Sequence, residues 1–168
     1  MGLCVDVGVY AERDLRPPAE APRMAFAYQA GALCAEQVPL EEIAARFGTP
    51  CYVYSRAAIE QAYREYVDAL AGRPSLLCYS VKATSNLSVL ALMAKLGAGF
   101  DIVSGGELAR VIAAGGDPSK VVFSGVGKTE DEIRRALQAG VLSINLESEQ
   151  ELSRVNSIAG SLGKRAPV

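Results

Sequence analysis

The residue best suited to chemistry in this sequence is Lys82, which follows the largely apolar run of residues 76–81. That run predicts a buried strand, with Lys82 at its last position and a polar stretch at once after it. A buried lysine is pushed toward its neutral form, because a low dielectric disfavours the ammonium. A neutral amine is a nucleophile and a Schiff-base former. The alternative is a lysine whose stem lies along the strand while its ammonium reaches water, and position alone leaves both possibilities open.

A carboxylate is predicted to lie near this lysine. Asp101 falls at the end of the next apolar run, and the carboxyl ends of neighbouring parallel strands meet at one edge of a sheet or one mouth of a barrel. An opposite charge at that distance favours the ammonium and could orient or stabilise an iminium. The competing interpretation of Asp101 is a cap for the next helix. Ser124 and Glu147, which end the following two runs, are interpreted as turn and helix-start residues.

Four repeats of an apolar run and a helical pattern position these residues. Such alternation predicts parallel strands joined by right-handed crossovers. The helix starts combine an N-cap with first-turn acids, and Pro167 is predicted to open a fifth strand. The fold is therefore predicted to be α/β, either a doubly wound sheet or a (β/α) barrel. The apolar runs begin near Leu76, Phe100, Val121 and Leu142.

The chain is short for a complete barrel. Such a barrel typically needs about 250 residues, and this sequence has 168. A barrel would therefore be present only as its first half, a (β/α)8 TIM-like barrel ending after about four βα units, and the doubly wound sheet stays open at this point. Residues 1–23 follow no pattern and are predicted to be a leader or an atypical segment. Residues 24–54 are predicted to be a segment of short strands and a helix, and residues 55–168 the partial barrel.

Local patterns define the elements of the segment before the barrel. Gly31 predicts a hairpin turn between two short strands, and residues 40–47 predict a helix that ends at Gly48. Residues 51–54 predict a further strand. Ser55 predicts the N-cap of a helix that runs from Arg56 to about residue 70.

Composition excludes several classes of function. The net charge of −2, from 17 basic and 19 acidic residues, gives no electrostatic case for binding nucleic acid or an anionic membrane. The sequence has no histidine, which removes Ser-His and Cys-His catalysis and the commonest metal ligand, so no metal site is predicted. The four cysteines form no C-x-x-C pair, which favours reduced thiols and a cytoplasmic location. No apolar run approaches the length of a membrane span.

Two glycine-containing segments imitate nucleotide-binding motifs and fail on one residue each. Residues 124–129 end like a P-loop, but Val122 occupies the place of the first glycine. Residues 97–102 begin like a dinucleotide fingerprint, but Ile102 occupies the place of its last glycine. Neither segment predicts a nucleotide site.

Longer motifs resemble a known family. Residues 79–86, Y-S-V-K-A-T-S-N, resemble the segment around the cofactor lysine of the pyridoxal-phosphate (PLP) decarboxylases with an alanine-racemase-like barrel. Residues 97–108 are similar to the second signature of that family, in the Ser-Gly-Gly-Glu version of its diaminopimelate decarboxylase branch. The segments 47–54, 123–129 and 145–149 agree in order and spacing. The resemblance extends over about residues 26–168.

The resemblance implies a chemistry. Lys82 would form an internal aldimine with pyridoxal 5'-phosphate, and Asp101 would lie close to that Schiff base. An amino-acid substrate would displace Lys82, and loss of carbon dioxide would leave a carbanion delocalised into the cofactor ring. For the diaminopimelate decarboxylase branch, the substrate is meso-diaminopimelate and the product is lysine. The full-length enzyme is expected to be a homodimer.

The resemblance also implies that much of the site lies outside these 168 residues. The family places a ring-stacking histidine, the phosphate contacts and the partner of the pyridine nitrogen on later strands, and a shared dimer site in a C-terminal β domain. The chain alone is therefore expected to be inactive, and to fold poorly or self-associate through open sheet edges. Two alternatives stay open: a non-catalytic module that binds PLP or an enzyme subunit, and another PLP enzyme of the family, such as an arginine or ornithine decarboxylase or a racemase.

Overall fold

The computed structural model describes Cys4–Val5 and residues 25–168. The segment predicted to be a leader, residues 1–23, lies outside the described residues except for Cys4–Val5. The chain forms two compact units, and each is described by itself. The N-terminal unit is described over residues 25–72, and the sheet unit over Arg73–Val168 together with Cys4–Val5.

The described elements are short strands and helices of eight to fourteen residues, which alternate from Leu76 onward. No helix among the described residues is long and apolar enough to cross a membrane. The strands are β1 (Cys4–Val5), β2 (Phe26–Gln29), β3 (Ala32–Ala35), β4 (Val38–Pro39), β5 (Leu76–Ser80), β6 (Gly99–Ile102), β7 (Val121–Phe123) and β8 (Ser143–Ile144). The helices are α1 (Leu40–Phe47), α2 (Arg56–Ala69), α3 (Leu87–Leu96), α4 (Gly105–Ala113), α5 (Glu130–Ala139) and α6 (Glu149–Ser161).

The N-terminal unit contains the predicted hairpin, and one glutamate joins its sheet to α2. Strands β2, β3 and β4 form an antiparallel sheet in that order. The Glu36 carboxylate, in the turn after β3, accepts hydrogen bonds from the Ser55 hydroxyl at 2.7 Å and the Ala57 backbone N–H at 2.9 Å. These bonds, that of Ala57 first, lower the pKa of Glu36. A carboxylate at a helix start is stabilised by the helix dipole, so Glu36 secures the start of α2.

One strand prediction in this unit is wrong. Residues 51–54 form no strand, and the Tyr52 side chain is 92% exposed. The run has the alternation of a strand but pairs with no other strand among the described residues. Helices α1 and α2 and the hairpin are confirmed, with Gly48 ending α1 at a φ of 78°.

The sheet unit is the parallel sheet that the repeats predict. Its strand order is β1-β5-β6-β7-β8, with β5 to β8 parallel and β1 antiparallel at the β5 edge. In the register of β5 and β6, Ser80 lies opposite Asp101. At the other edge, the Ile144 N–H donates to the Pro167 carbonyl at 2.8 Å, so Pro167 lies beside β8, where a fifth strand was predicted. Residues 167–168 are not themselves in a strand.

The core of the sheet unit consists of strand and helix residues that are fully buried, among them Phe100, Phe123 and Ile133. Burying a side chain of this size contributes about 1.5–3 kcal/mol. Gly99 shows how closely the strands pack: a Cβ there would lie 2.6 Å from the Lys120 carbonyl oxygen. Gly99, the second glycine of the segment that imitates a dinucleotide motif, is therefore required by the packing of β6.

Candidate active site

Lys82 lies just beyond the strand that was predicted to end with it. Strand β5 ends at Ser80, and residues Val81–Ala83 form a single 3-10 turn. The Lys82 side chain is exposed, which agrees with the second possibility, an ammonium that reaches water. The turn carries the chain from β5 to the start of α3, and this lifts Lys82 out of the sheet. With the described residues, the Lys82 ammonium forms no hydrogen bond or ion pair.

The backbone that follows Lys82 is held by hydrogen bonds from two side chains. The Tyr79 hydroxyl donates to the Thr84 carbonyl at 3.2 Å, and the Arg110 guanidinium donates to the Ser85 carbonyl at 3.2 Å. The Asn86 side chain then caps α3 by accepting from the Ser88 N–H at 2.9 Å. The lysine therefore extends an exposed amine from a well-held turn.

Asp101 lies in β6, half-buried, and belongs to a row of polar side chains that crosses the sheet. Its Oδ1 accepts from the Ser124 hydroxyl at 2.6 Å, and its Oδ2 from the Ser80 hydroxyl at 3.5 Å. The Asn145 side-chain amide in turn donates to Ser124 Oγ at 3.1 Å. The short bond is charge-assisted and strong, whereas the 3.5 Å contact is weak. We call these four residues, Ser80, Asp101, Ser124 and Asn145, the polar row. Its hydrogen bonds fix the orientation of the Asp101 carboxylate.

The polar row corrects two interpretations of the sequence. Asp101 caps no helix, because the cap of α4 is Ser104, whose Oγ accepts from the Glu107 N–H at 3.2 Å. Ser124 is more than a turn residue, since it supplies the shortest hydrogen bond to Asp101. Ser80 and Asn145 were not identified from the sequence. One signal could have identified Ser80, Ser124 and Asn145: each is a small polar residue near the carboxyl end of a parallel strand.

The loop between β7 and α5 holds a second lysine, with the opposite surroundings. Lys128 is only 2% exposed. Its Nζ donates to the carbonyls of Gly125 at 2.6 Å and Asn145 at 2.7 Å, and to Glu151 Oε1 at 3.2 Å. The ammonium also lies 5.6 Å from the centre of the Phe123 ring. This is the lysine of the segment that imitates a P-loop, and here it binds protein acceptors.

Glutamates occupy the starts of the helices after β6, β7 and β8. Glu107 accepts from the Val103 N–H at 2.7 Å, and Glu151 Oε2 accepts from the Glu147 N–H at 2.8 Å. Glu132 accepts from the N–H groups of Gly105 at 2.8 Å and Thr129 at 3.0 Å, and these bonds hold the pKa of the Glu132 carboxyl below its usual range. Helix starts usually attract anions. Carboxylates of the chain itself accept from Gly105 at the start of α4 and from the backbone just before α4, α5 and α6.

A parallel βα sheet with a lysine and an aspartate at the carboxyl ends of neighbouring strands defines a class of small-molecule enzyme sites. The family model described as "Pyridoxal-dependent decarboxylase, pyridoxal binding domain" matches residues 56–166, and the chain belongs to that family. The match begins at the start of α2, whereas the boundary between the compact units follows Gly72. The predicted division at residues 54–55 therefore stays a prediction.

Individual relatives and solved structures give a more detailed comparison than the family model does. The chain is 64% identical over 143 residues to a diaminopimelate decarboxylase of Pseudomonas aeruginosa, covering 85% of this chain and 34% of the relative. It is similar to the crystal structure of diaminopimelate decarboxylase from Helicobacter pylori complexed with L-lysine, with a TM-score of 0.73 and 47% identity, covering 76% of this chain and 32% of the other. The M. jannaschii diaminopimelate decarboxylase, also in complex with L-lysine, gives a TM-score of 0.80 and 34% identity, covering 84% and 34%. The chain thus spans about a third of the length of these relatives.

Proposed function

We propose that this chain is the N-terminal part of a diaminopimelate decarboxylase, which converts meso-diaminopimelate to lysine and carbon dioxide with pyridoxal 5'-phosphate as cofactor. The observation that carries the proposal is the 64% identity to a relative of that name across most of this chain. Two structural relatives with L-lysine bound support it, because lysine is the product of this reaction.

The residues present fit the cofactor at the amine. An aldehyde can reach Lys82 because the side chain is exposed and its nitrogen has no partner among the described residues. The turn that carries it is held through Thr84 and Ser85, so the amine has a fixed base. Lys82 would hold the cofactor covalently, and Asp101 would lie on the neighbouring strand.

Pyridoxal phosphate, when bound, supplies an aldehyde for amines and a conjugated ring that accepts the electrons left by decarboxylation. The chain's own residues would hold the cofactor and orient the Asp101 carboxylate. Asp101 is a fixed negative charge that would stabilise a positively charged nitrogen on the strand next to it. The Ser124 hydroxyl donates to Asp101 at 2.6 Å and keeps that carboxylate oriented. The phosphate contacts are expected on later strands, as the family resemblance implies.

The proposed fold of the whole enzyme is a (β/α)8 barrel, of which β5 to β8 with α3 to α6 form the first half. The parallel order of these strands and the place of Pro167 beside β8 support this proposal. Decarboxylation would need the remaining strands, and the complete enzyme is proposed to be a homodimer. The expected cytoplasmic location stays a prediction.

Cofactor uptake is tested, with added pyridoxal phosphate, on a chimera in which this chain replaces the matching third of the Pseudomonas aeruginosa relative, because the phosphate contacts are expected outside these 168 residues. The visible absorbance of the bound cofactor should be present after dialysis and lost in Lys82→Ala. Lys95→Ala is the matched control, because Lys95 is an exposed lysine of the same unit in the last turn of α3. Equal uptake by the two variants would contradict the assignment of Lys82.

The substrate is tested with the same chimera. The chimera should release carbon dioxide from meso-diaminopimelate and leave ornithine and arginine unchanged, whereas the 168-residue chain alone should release none. Preference for ornithine or arginine would favour another decarboxylase of the family. Cofactor uptake without turnover in the chimera would favour a non-catalytic module.

A further inference from the structure

The buried Lys128 uses all its hydrogen-bonding capacity on two neighbouring loops and the first turn of α6. A lysine ammonium has three N–H donors, and the three acceptors here are the carbonyls of Gly125 and Asn145 and the carboxylate of Glu151. Glu151 uses its other oxygen to accept from the Glu147 N–H. The pair therefore binds the loop after β7 and the loop after β8 at the same time.

These loops carry the two side chains that serve Asp101. Gly125 follows Ser124 directly, and Asn145 is held by its backbone carbonyl, so its side-chain amide stays available. The amide donates to Ser124 Oγ, and the Ser124 hydroxyl donates to Asp101. Hydrogen bonds, joined through the covalent bonds of Asn145, thus connect the buried pair to the carboxylate.

We propose that the Lys128–Glu151 pair is a positioning device for Asp101, acting through Ser124 and Asn145. The ammonium sets the separation of the two loops, and that separation sets where the Ser124 hydroxyl lies relative to the carboxylate. The inference rests on the proposed function in one respect, because the carboxylate that it positions is the one assigned to the Lys82 site. Lys128 and Glu151 are positioning residues, because their described side-chain hydrogen bonds are to each other and to backbone groups of the loops that carry Ser124 and Asn145.

The test measures the reactivity of Asp101 without cofactor. Carbodiimide coupling to glycine ethyl ester labels accessible carboxyl groups, and peptide mass spectrometry gives the extent at each one. The main variant is the double Lys128→Met, Glu151→Met, which removes both buried charges together so that neither is left unpaired. Ser124→Ala cuts the last hydrogen bond of the series and sets the size of the effect. Lys164→Met is the matched control, because it removes a lysine bond to the Leu137 carbonyl near the end of α5, away from the carboxyl ends of the strands.

The expected result is a several-fold rise in Asp101 labelling in both Ser124→Ala and the double variant, with no change in Lys164→Met. Labelling of the exposed Asp131 should stay constant in every variant, which separates a local effect from general loosening. If the double variant does not fold, Glu151→Gln provides the second measurement, and a smaller rise confined to Asp101 is expected. Unchanged Asp101 labelling in a folded variant, or an equal rise at Asp131, would overturn the inference.

Cofactor uptake by the chimera keeps this inference separate from the proposed function. A rise confined to Asp101, together with a chimera that takes up no pyridoxal phosphate at Lys82, would overturn the proposed function and leave the positioning device standing. Uptake at Lys82 with unchanged Asp101 labelling would overturn only the positioning device.

Discussion

The segments that follow β5 and β7 each carry a lysine, and the two lysines have opposite surroundings. Lys82 is exposed and has no partner among the described residues, whereas Lys128 is 2% exposed and has three acceptors. Burial is often taken as the sign of a reactive lysine. Here the buried lysine is used for structure, and the exposed one is available to a cofactor. Availability of the amine therefore separates the two sites better than burial does.

The comparison predicts that the largest loss of stability comes from breaking the buried pair. Lys128→Met leaves the Glu151 carboxylate buried without its ammonium, which costs about 3–5 kcal/mol. Urea unfolding followed by circular dichroism measures the loss. The double Lys128→Met, Glu151→Met variant should recover most of it, because no charge is left unpaired. A loss below about 1 kcal/mol in the single variant would mean that the pair behaves like a surface salt bridge.

A second prediction concerns how stability depends on pH, which should differ between the start of α5, after β7, and the start of α3, after β5. The folded pKa of Glu132 is lowered, so its contribution to stability is present above the unfolded pKa and is lost as pH falls through the folded one. Glu132→Gln should cost about 1.5 kcal/mol at neutral pH, by weakening hydrogen bonds to a charged acceptor. It should also reduce the loss of stability on acidification. Urea unfolding of wild type and variant across acidic pH checks both, and parallel pH profiles would contradict the assignment.

The turn after Lys82 depends on a neutral cap. Asn86→Ala removes the side-chain acceptor at the start of α3 and should cost about 1 kcal/mol. Because asparagine does not titrate, this cost should be the same at acidic and neutral pH, unlike that of Glu132→Gln. Urea midpoints at two pH values test the difference. A pH-dependent cost would contradict this prediction, because it would require a titrating group at the start of α3.

The smallest effect on stability is predicted for Lys82 itself. Lys82→Met changes an exposed side chain without a described partner, so the free energy of unfolding should change by less than about 0.5 kcal/mol. Cofactor uptake should nevertheless be lost. A large loss of stability would show that Lys82 has a structural partner and would remove its contrast with Lys128.

The order of the elements could be predicted from the sequence because it depends on local patterns. The repeat of apolar runs and helical patterns predicted the four parallel strands, and Ser104, Thr129 and Ser148 predicted the helix starts that the structure confirms. Local alternation misled at residues 51–54, where a strand pattern has no paired strand among the described residues. Strand β4, of only two residues, is too short to leave a pattern.

The details of the site could not be predicted in the same way. The bonds of the polar row join residues 21 to 23 positions apart, and so does the Lys128–Glu151 pair. Such pairs depend on strand register and on loop conformation, which hydrophobic periodicity does not determine. Lys82 and Asp101 were found because a charged residue at the end of an apolar run is conspicuous. Ser80, Ser124 and Asn145 are ordinary residues for the ends of strands.

The most direct test of the central claim is to locate the lysine that takes up the cofactor. The chimera is incubated with pyridoxal phosphate and reduced with borohydride, which fixes the pyridoxyl group on the lysine that holds it, and peptide mass spectrometry identifies the site. We predict one dominant label, at Lys82, and none at Lys128. Label at Lys128, or label spread evenly over the exposed lysines, would contradict this prediction.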